Sequence, residues 1–400
     1  MAEFVAIVAL MMALTALSID VMLPALPAIS ADFALAGEND RQLVVTTFLI
    51  GFGLGQPIHG PLSDRFGRKP VLMLGLSIFA VGSALATWAP DFQTLLIARL
   101  LQGFGGAAAR VVSNAVVRDC FSGREMARVM SMAMTVFILV PIVAPAVGTV
   151  IQMASGWHSI FALLMVAAAV TAAWVAFRLP ETRRAEDRTP LTPSYLARAA
   201  WLVVSNRITL GYTVATGFLF AILMSYVGSA QQLFVEVYGL GDLFPLMFGS
   251  LAGAIAVASM VNARLVARMG TRRLSHLALI GLVGLSAVMA AAGFPAKPPL
   301  ALLGIYLGAC FFCFGLLMPN FNAIAMEPLG RVAGMASSFI GFLTTVMGAF
   351  GGWLIGQSFD GTARPLVFGF AALGAAALAV VLVTEKGRLL QPAQPEDRAA

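Results

Sequence analysis

Twelve apolar runs, each long enough to cross a lipid bilayer, recur along this 400-residue chain and leave it few ways to fold. About 20 apolar residues in helical form cover the hydrocarbon core. The runs read 4–28, 42–62, 70–89, 93–117, 129–152, 158–178, 207–229, 243–264, 275–293, 299–325, 333–356 and 365–384, numbered here spans 1 to 12. In lipid, every backbone N–H and C=O must find a partner inside the protein, and a long apolar segment meets that demand as a helix. Composition agrees, with 60% hydrophobic residues, 11% charged residues and a mean hydropathy of +0.90. Abundant Gly and Met suit helices that pack closely in lipid. The first run has no basic leader and is too long for a signal sequence, so it is expected to be retained.

The cations set the expected orientation. Of the 25 Lys and Arg, three (Arg41, Lys297, Arg364) fall in loops on one side and two (Arg99, Arg110) inside span 4; the remaining 20 fall on the other side. Positive residues collect in the cytoplasm, which places both termini there. The high isoelectric point, about 9.6, is therefore a topology signal and implies no nucleic acid. The longest polar interruption, Arg178 to Arg207, divides the chain into six spans and six. The expected domains are an N-terminal bundle 1–178, a cytoplasmic linker loop 179–206, a C-terminal bundle 207–386 and a cytoplasmic tail 387–400. A weak repeat supports two halves: Arg65-Phe66-Gly67-Arg68-Lys69 after span 2 has a counterpart in Arg268-Met269-Gly270-Thr271-Arg272 after span 8.

Within span 1, Ser18 to Pro27 reads SIDVMLPALP. Asp20 is the one carboxylate placed deep in an apolar run, where a charge is costly and a functional role is the default reading. Pro24 and Pro27 lack N–H groups and leave the carbonyls of Asp20 and Leu23 without helical donors. A proline-capped helix end near the interface is the alternative. Arg99 in span 4 falls at the same depth. Asp20 lies roughly 24 Å from the cytoplasmic end of its helix and Arg99 roughly 9 Å from the outer end of its own, in a core about 30 Å thick. Arg110 lies three turns deeper, lining a cavity or snorkelling to the inner interface. Met22, Arg110, Asn114, Tyr226 and Asn320 are the candidate substrate-facing groups, although Tyr226 and Asn320 equally suit hydrogen bonds between helices. His59 reads as a packing residue.

The loop GPLSDRFGRKP, Gly60 to Pro70, offers glycines for a tight turn, cations for the inner surface, and Asp64 to pair with a cation or a helix N-terminus. Arg118 and Asp119 end span 4 and are expected to join Asp64. In span 5, Pro141 and Pro145 free carbonyls one turn back, and Gly148 permits close packing.

These residues carry a resemblance. The Gly60–Pro70 loop resembles the loop between helices 2 and 3 of the major facilitator superfamily, where it locks and releases a cytoplasmic gate. Its matching positions are Gly60, Asp64, Arg65, Gly67 and Arg68. Arg99-Leu100-Leu101-Gln102-Gly103 is similar to that superfamily's fourth-helix motif, tied there to proton coupling. Pro141, Pro145 and Gly148 resemble its fifth-helix antiporter motif, with a single glycine followed by Thr149 where two glycines are common. Over nearly the whole chain the closer resemblance is to the bicyclomycin- and chloramphenicol-resistance (Bcr/CflA-type) drug:proton antiporters. SIDVMLPALP, GQPIHGPLSDRFGRKP, VVRDCF, GWHSIF and Met318-Pro319-Asn320 carry it. Met22 stands where a tyrosine is usual, and Ser229-Ala230-Gln231 replaces a Ser-Pro step.

The resemblance implies an all-α integral membrane protein with twelve transmembrane helices in two pseudo-symmetric six-helix bundles, the major facilitator fold. It implies proton-coupled efflux of small, largely apolar drugs or toxic compounds across the cytoplasmic (inner) membrane. The proton would couple through Asp20 and Arg99. An exporter or importer of an endogenous metabolite is the alternative, and the span 5 motif argues mildly against import. An enzyme is not expected: the chain shows no acidic pair for a magnesium-pyrophosphate group and no Ser/His arrangement. It also carries no GxxxxGK[ST] loop for ATP. Cys120, Cys310 and Cys313 form no disulfide framework or metal pattern. No cofactor and no metal are expected. The expected partners are a small-molecule substrate, protons and membrane lipid, for a monomer.

Overall fold

The computed structural model describes residues 2–184, 186, 188, 193–293 and 295–391. Parts of the expected linker (185, 187, 189–192) and tail (392–400) therefore lie outside the described residues. Among the described residues, twelve helical spans are long and apolar enough to cross a membrane, matching the twelve sequence runs. Most run a few residues beyond the apolar stretch, because helical hydrogen bonding continues where the side chains turn polar.

The chain divides into two compact units, Met1–Arg198 and Ala199–Ala400. In the first, span 1 is not one helix. Helix α1 (Ala2–Asp20) ends at the acid, a 3-10 turn follows at Leu23–Ala25, and α2 (Leu26–Asp32) completes the crossing. Then come α3 (Leu43–Phe66), α4 (Arg68–Thr87), α5 (Phe92–Cys120), α6 (Gly123–Ser155) and α7 (His158–Arg178). The linker, expected as a loop, carries a helix, α8 (Pro193–Ser205). Its apolar content explains this: Val203 packs with Leu329, Ala336 and Ile340. The second unit contains α9 (Arg207–Gln231), extended by a π-helical turn to Val237, then α10 (Phe244–Met269) and α11 (Thr271–Ala291). It closes with α12 (Leu300–Met326), α13 (Ala333–Gln357) and α14 (Arg364–Thr384).

The two units share a packing plan. In the first, α5 packs on α3 and α4, α4 on α7, and α1 on α6; in the second, α12 packs on α10 and α11, α11 on α14, and α9 on α13. The weak sequence repeat is thus a repeat of architecture. Close approach needs small residues. At Gly51 of α3 an added Cβ would collide with the backbone carbonyl of Leu100 on α5.

Proline does not act alike everywhere. Pro141 and Pro145 sit inside α6, which stays helical from Gly123 to Ser155. Pro24 and Pro27, three residues apart, coincide with a break.

Candidate functional site

The break in span 1 positions the central acid. Val21 N–H still donates to Leu17 O at 3.0 Å, the last bond of the α1 ladder. Ala25 N–H then turns back to Met22 O at 2.9 Å. Asp20 stands at this junction, 6% exposed, and Met22 is fully buried. Among the described residues no hydrogen bond or ion pair holds the Asp20 carboxyl. The junction is pressed from one side by α6, where any side chain at Gly148 would strike the carbonyl of Val21. The absence of a side chain at Gly148 is thus what lets α6 lie directly on the broken backbone beside Asp20.

Arg99 reaches the same junction from α5 and is fully buried. It makes no ion pair with Asp20. Its Nη2–H donates to Ser18 O at 3.1 Å and its Nε–H to Val44 O on α3 at 3.0 Å. Nη1–H donates to Gln102, whose Nε2–H donates to Ser83 Oγ on α4 at 2.7 Å. The guanidinium lies over the Phe48 ring, 4.4 Å from its centroid. A broken helix leaves its last carbonyls without donors, and a cation at a helix C-terminus satisfies them and suits the dipole. Arg99 is thus a cap on the end of α1, two residues from Asp20.

A second constellation lies where the basic loop between α3 and α4 meets the ends of α5 and α7. Gly67 makes the turn with φ 104°, a backbone conformation that favours glycine. Arg68 follows, 1% exposed. Its Nη1–H donates to Asp64 at 2.7 Å and to Ser63 Oγ at 2.7 Å, and its Nε–H to Asp119 at 2.8 Å. Glu181 accepts the backbone N–H groups of Arg68 and Lys69, at 2.8 and 3.2 Å, and so caps the N-terminus of α4. Lys69 Nζ reaches Ala176 O at 2.6 Å. Asp64 therefore takes the cation, and a residue 113 positions away from Arg68 takes the helix end.

Of the residues expected here, Gly60, Asp64, Gly67, Arg68 and Asp119 come together, with Gly60 O accepting from Ser63 Oγ. Arg65 and Arg118 are exposed and stand outside the set. Both sit beside a residue that points inward, so one step along the helix turns them outward. Arg110 lies over the Phe137 ring of α6 at 4.9 Å, and Asn114 is exposed. In the second unit, Tyr226 packs among Phe234, Phe248 and Phe311. Asn320 donates to Asn262 Oδ1 at 2.7 Å and to Leu316 O at 2.8 Å, a bond between α12 and α10. His59 is buried, its Nδ1 2.8 Å from Gly55 O. Trp157 of GWHSIF donates its indole N–H to Asp32 at 2.5 Å, tying α2 to the start of α7.

Sequence reading missed Glu181 and Ser83, and it named Gln102 only as part of the span 4 motif, without its partners. It also missed a set in the second unit: Arg272 donates to Glu385 at 3.0 Å and to Glu327 at 3.3 Å. The offset of the repeat pointed at Arg272, but its acids lie on other elements.

The family model of the Major Facilitator Superfamily matches residues 8–352. The chain belongs to this superfamily and is a multi-pass membrane transporter. It is 32% identical over 359 residues to the bicyclomycin resistance protein homolog of Haemophilus influenzae, covering 88% of this chain and 89% of that protein. It is 29% identical over 358 residues to the chloramphenicol resistance protein of Pseudomonas aeruginosa, covering 86% and 80%. The fold is similar to that of a D-xylose-proton symporter, with a TM-score of 0.76, 14% identity, and coverage of 97% and 98%.

Proposed function

We propose that this transporter exports small, largely apolar toxic compounds in exchange for protons. The observation that carries the reading is Asp20, a buried carboxyl at a broken helix with no cation or donor holding it among the described residues. A lone charge in such a place is costly, and taking up a proton removes it. Asp20 is the proton carrier in this account. Arg99 holds the carbonyl of Ser18 and fixes the end of α1, so a change in the break reaches Asp20 through the backbone. Substrate binding displaces the proton.

The Arg68 network closes the basic-loop end of the first unit, which we place in the cytoplasm with both termini. Residues 1–178 and 207–386 serve as the two bundles. The resistance proteins that this chain resembles support a drug-like substrate class. Pro141, Pro145 and Gly148 support exchange, because the α6 glycine rests on the same break that holds Asp20.

The test is growth of cells with and without this protein across a panel of antibiotics and toxic metabolites, with Asp20→Asn in parallel. Export predicts that expression raises tolerance to a subset of apolar compounds and that Asp20→Asn abolishes the gain. No gain for any toxic compound, or a full gain with Asp20→Asn, would overturn it.

A further inference from the structure

The second unit contains a chain of buried polar groups that ends on the segment following α14. His276 lies near the start of α11 and is 1% exposed. Its Nδ1 lies 3.1 Å from the backbone nitrogen of Leu390. Its Nε2 lies 2.7 Å from Tyr212 Oη of α9, which also lies 2.7 Å from Glu385 Oε1. These contacts fix the proton positions. A phenol has one proton and a carboxylate can only accept, so Tyr212 donates to Glu385. His276 must then donate Nε2–H to Tyr212. Its Nδ1 is the bare nitrogen and accepts the N–H of Leu390.

We propose that His276 is a proton-sensing site: neutral, it holds the segment after α14 docked, and protonated, it releases that segment. A second proton can enter the ring only at Nδ1, the atom on which Leu390 rests. Two N–H groups would then face each other and the bond would be lost. The groups around His276 come from every neighbouring element. Tyr212 faces it from α9, and Arg272 lies one turn earlier on α11 with its Nε–H 3.0 Å from Glu385. Glu385 faces it from the segment itself, and Glu327 stands behind Arg272 at 3.3 Å. Glu385 attracts the added charge and Arg272 repels it.

The docked segment also has reason to leave. Lys386 and Leu390 hold φ of 52° and 67°, conformations that side-chain-bearing residues rarely adopt unaided. Loss of the Leu390 bond removes one of the restraints that keep it so.

Hydrogen exchange on the purified full-length protein tests this, at about pH 8 and about pH 4, the lower value set below the ordinary histidine range because burial opposes a charged ring. After correction for intrinsic rates, protection of the Leu390 amide should fall roughly five- to tenfold at the lower pH, the factor one hydrogen bond confers. His276→Asn keeps an acceptor that takes no proton, and its protection should be equal at both values. Parental protection that ignores pH, or a His276→Asn protein that loses protection as the parent does, would overturn the proposal. His276→Phe gives an independent reading, since it removes the acceptor while Tyr212 keeps its bond to Glu385. Trypsin should then cut after Arg388 faster than in the parent at about pH 8, by a similar factor. Equal cutting would show that the bond does not dock the segment.

Discussion

Both units carry an arginine at the start of their third span, and they arm it differently. The turns before it match: Gly67 has φ 104° and ψ 159°, and Gly270 has φ 79° and ψ 158°. Arg68 is the first residue of its helix and Arg272 the second of its own. One residue is a rotation of about 100° around a helix, so the two guanidiniums leave in different directions. Corresponding elements still supply the acids. Asp119 ends α5 as Glu327 follows α12, and Glu181 follows α7 as Glu385 follows α14. Glu181, however, binds backbone N–H groups, while Glu385 binds the side chains of Arg272 and Tyr212. Asp64 has no counterpart, for Ala267 stands at the matching position. The repeat keeps the turn and the donor elements but not the register. The first unit has a dense clamp of permanent charges. The second has a looser one that includes a histidine and a tyrosine.

That contrast predicts an order of effects. Arg68→Ala should be the most damaging, costing about 3 kcal/mol, because it leaves two largely covered carboxylates, Asp64 and Asp119 with side chains 21% and 13% exposed, without their shared cation. Thermal unfolding in detergent would read this, with transport lost as well. Arg272→Ala should cost less, about 2 kcal/mol, because Glu327 is 35% exposed and Glu385 keeps the hydroxyl of Tyr212. Equal losses would erase the distinction between the two clamps.

Asp64→Asn tests the acid present in one unit only. Arg68 keeps Asp119 and Ser63, so the protein should fold at a cost of about 1 kcal/mol. Transport should nevertheless fall strongly. Full transport by this variant would reduce the loop to an anchor. Glu181→Gln should be the mildest, about 0.5 kcal/mol, since an amide oxygen still accepts an N–H from the start of α4 and only the charge on the helix dipole is lost. A loss as large as that from Arg68→Ala would mean that Glu181 belongs to the ion-pair core.

Sequence reading found what periodicity and backbone chemistry write locally. The twelve spans follow from apolar length, and the break at Asp20 follows from two prolines three residues apart. Gly67 marks its own turn. It reached Asp64, Arg68 and Asp119 because the glycines and charges of one short loop are distinctive. It failed where a partner is distant or has no side-chain signature. Glu181 sits in a charge-rich run that reads as solvated linker. The partners of Arg99 include two backbone carbonyls, Ser18 O and Val44 O, which no residue type announces. Depth placed Arg99 level with Asp20, but depth cannot distinguish an ion pair from a helix cap. Arg65 and Arg118 were drawn in by adjacency in sequence, and a helix sends adjacent residues to different faces.

The central claim is that Asp20 carries the proton. The direct measurement is proton release from the purified protein in weakly buffered detergent. It is made on addition of the panel compound to which expression confers the largest tolerance, for the parent and for Asp20→Asn. The account predicts that the parent releases protons as substrate binds and that Asp20→Asn, still folded, releases none. Release by Asp20→Asn equal to that of the parent would contradict it and place the carrier elsewhere in the chain.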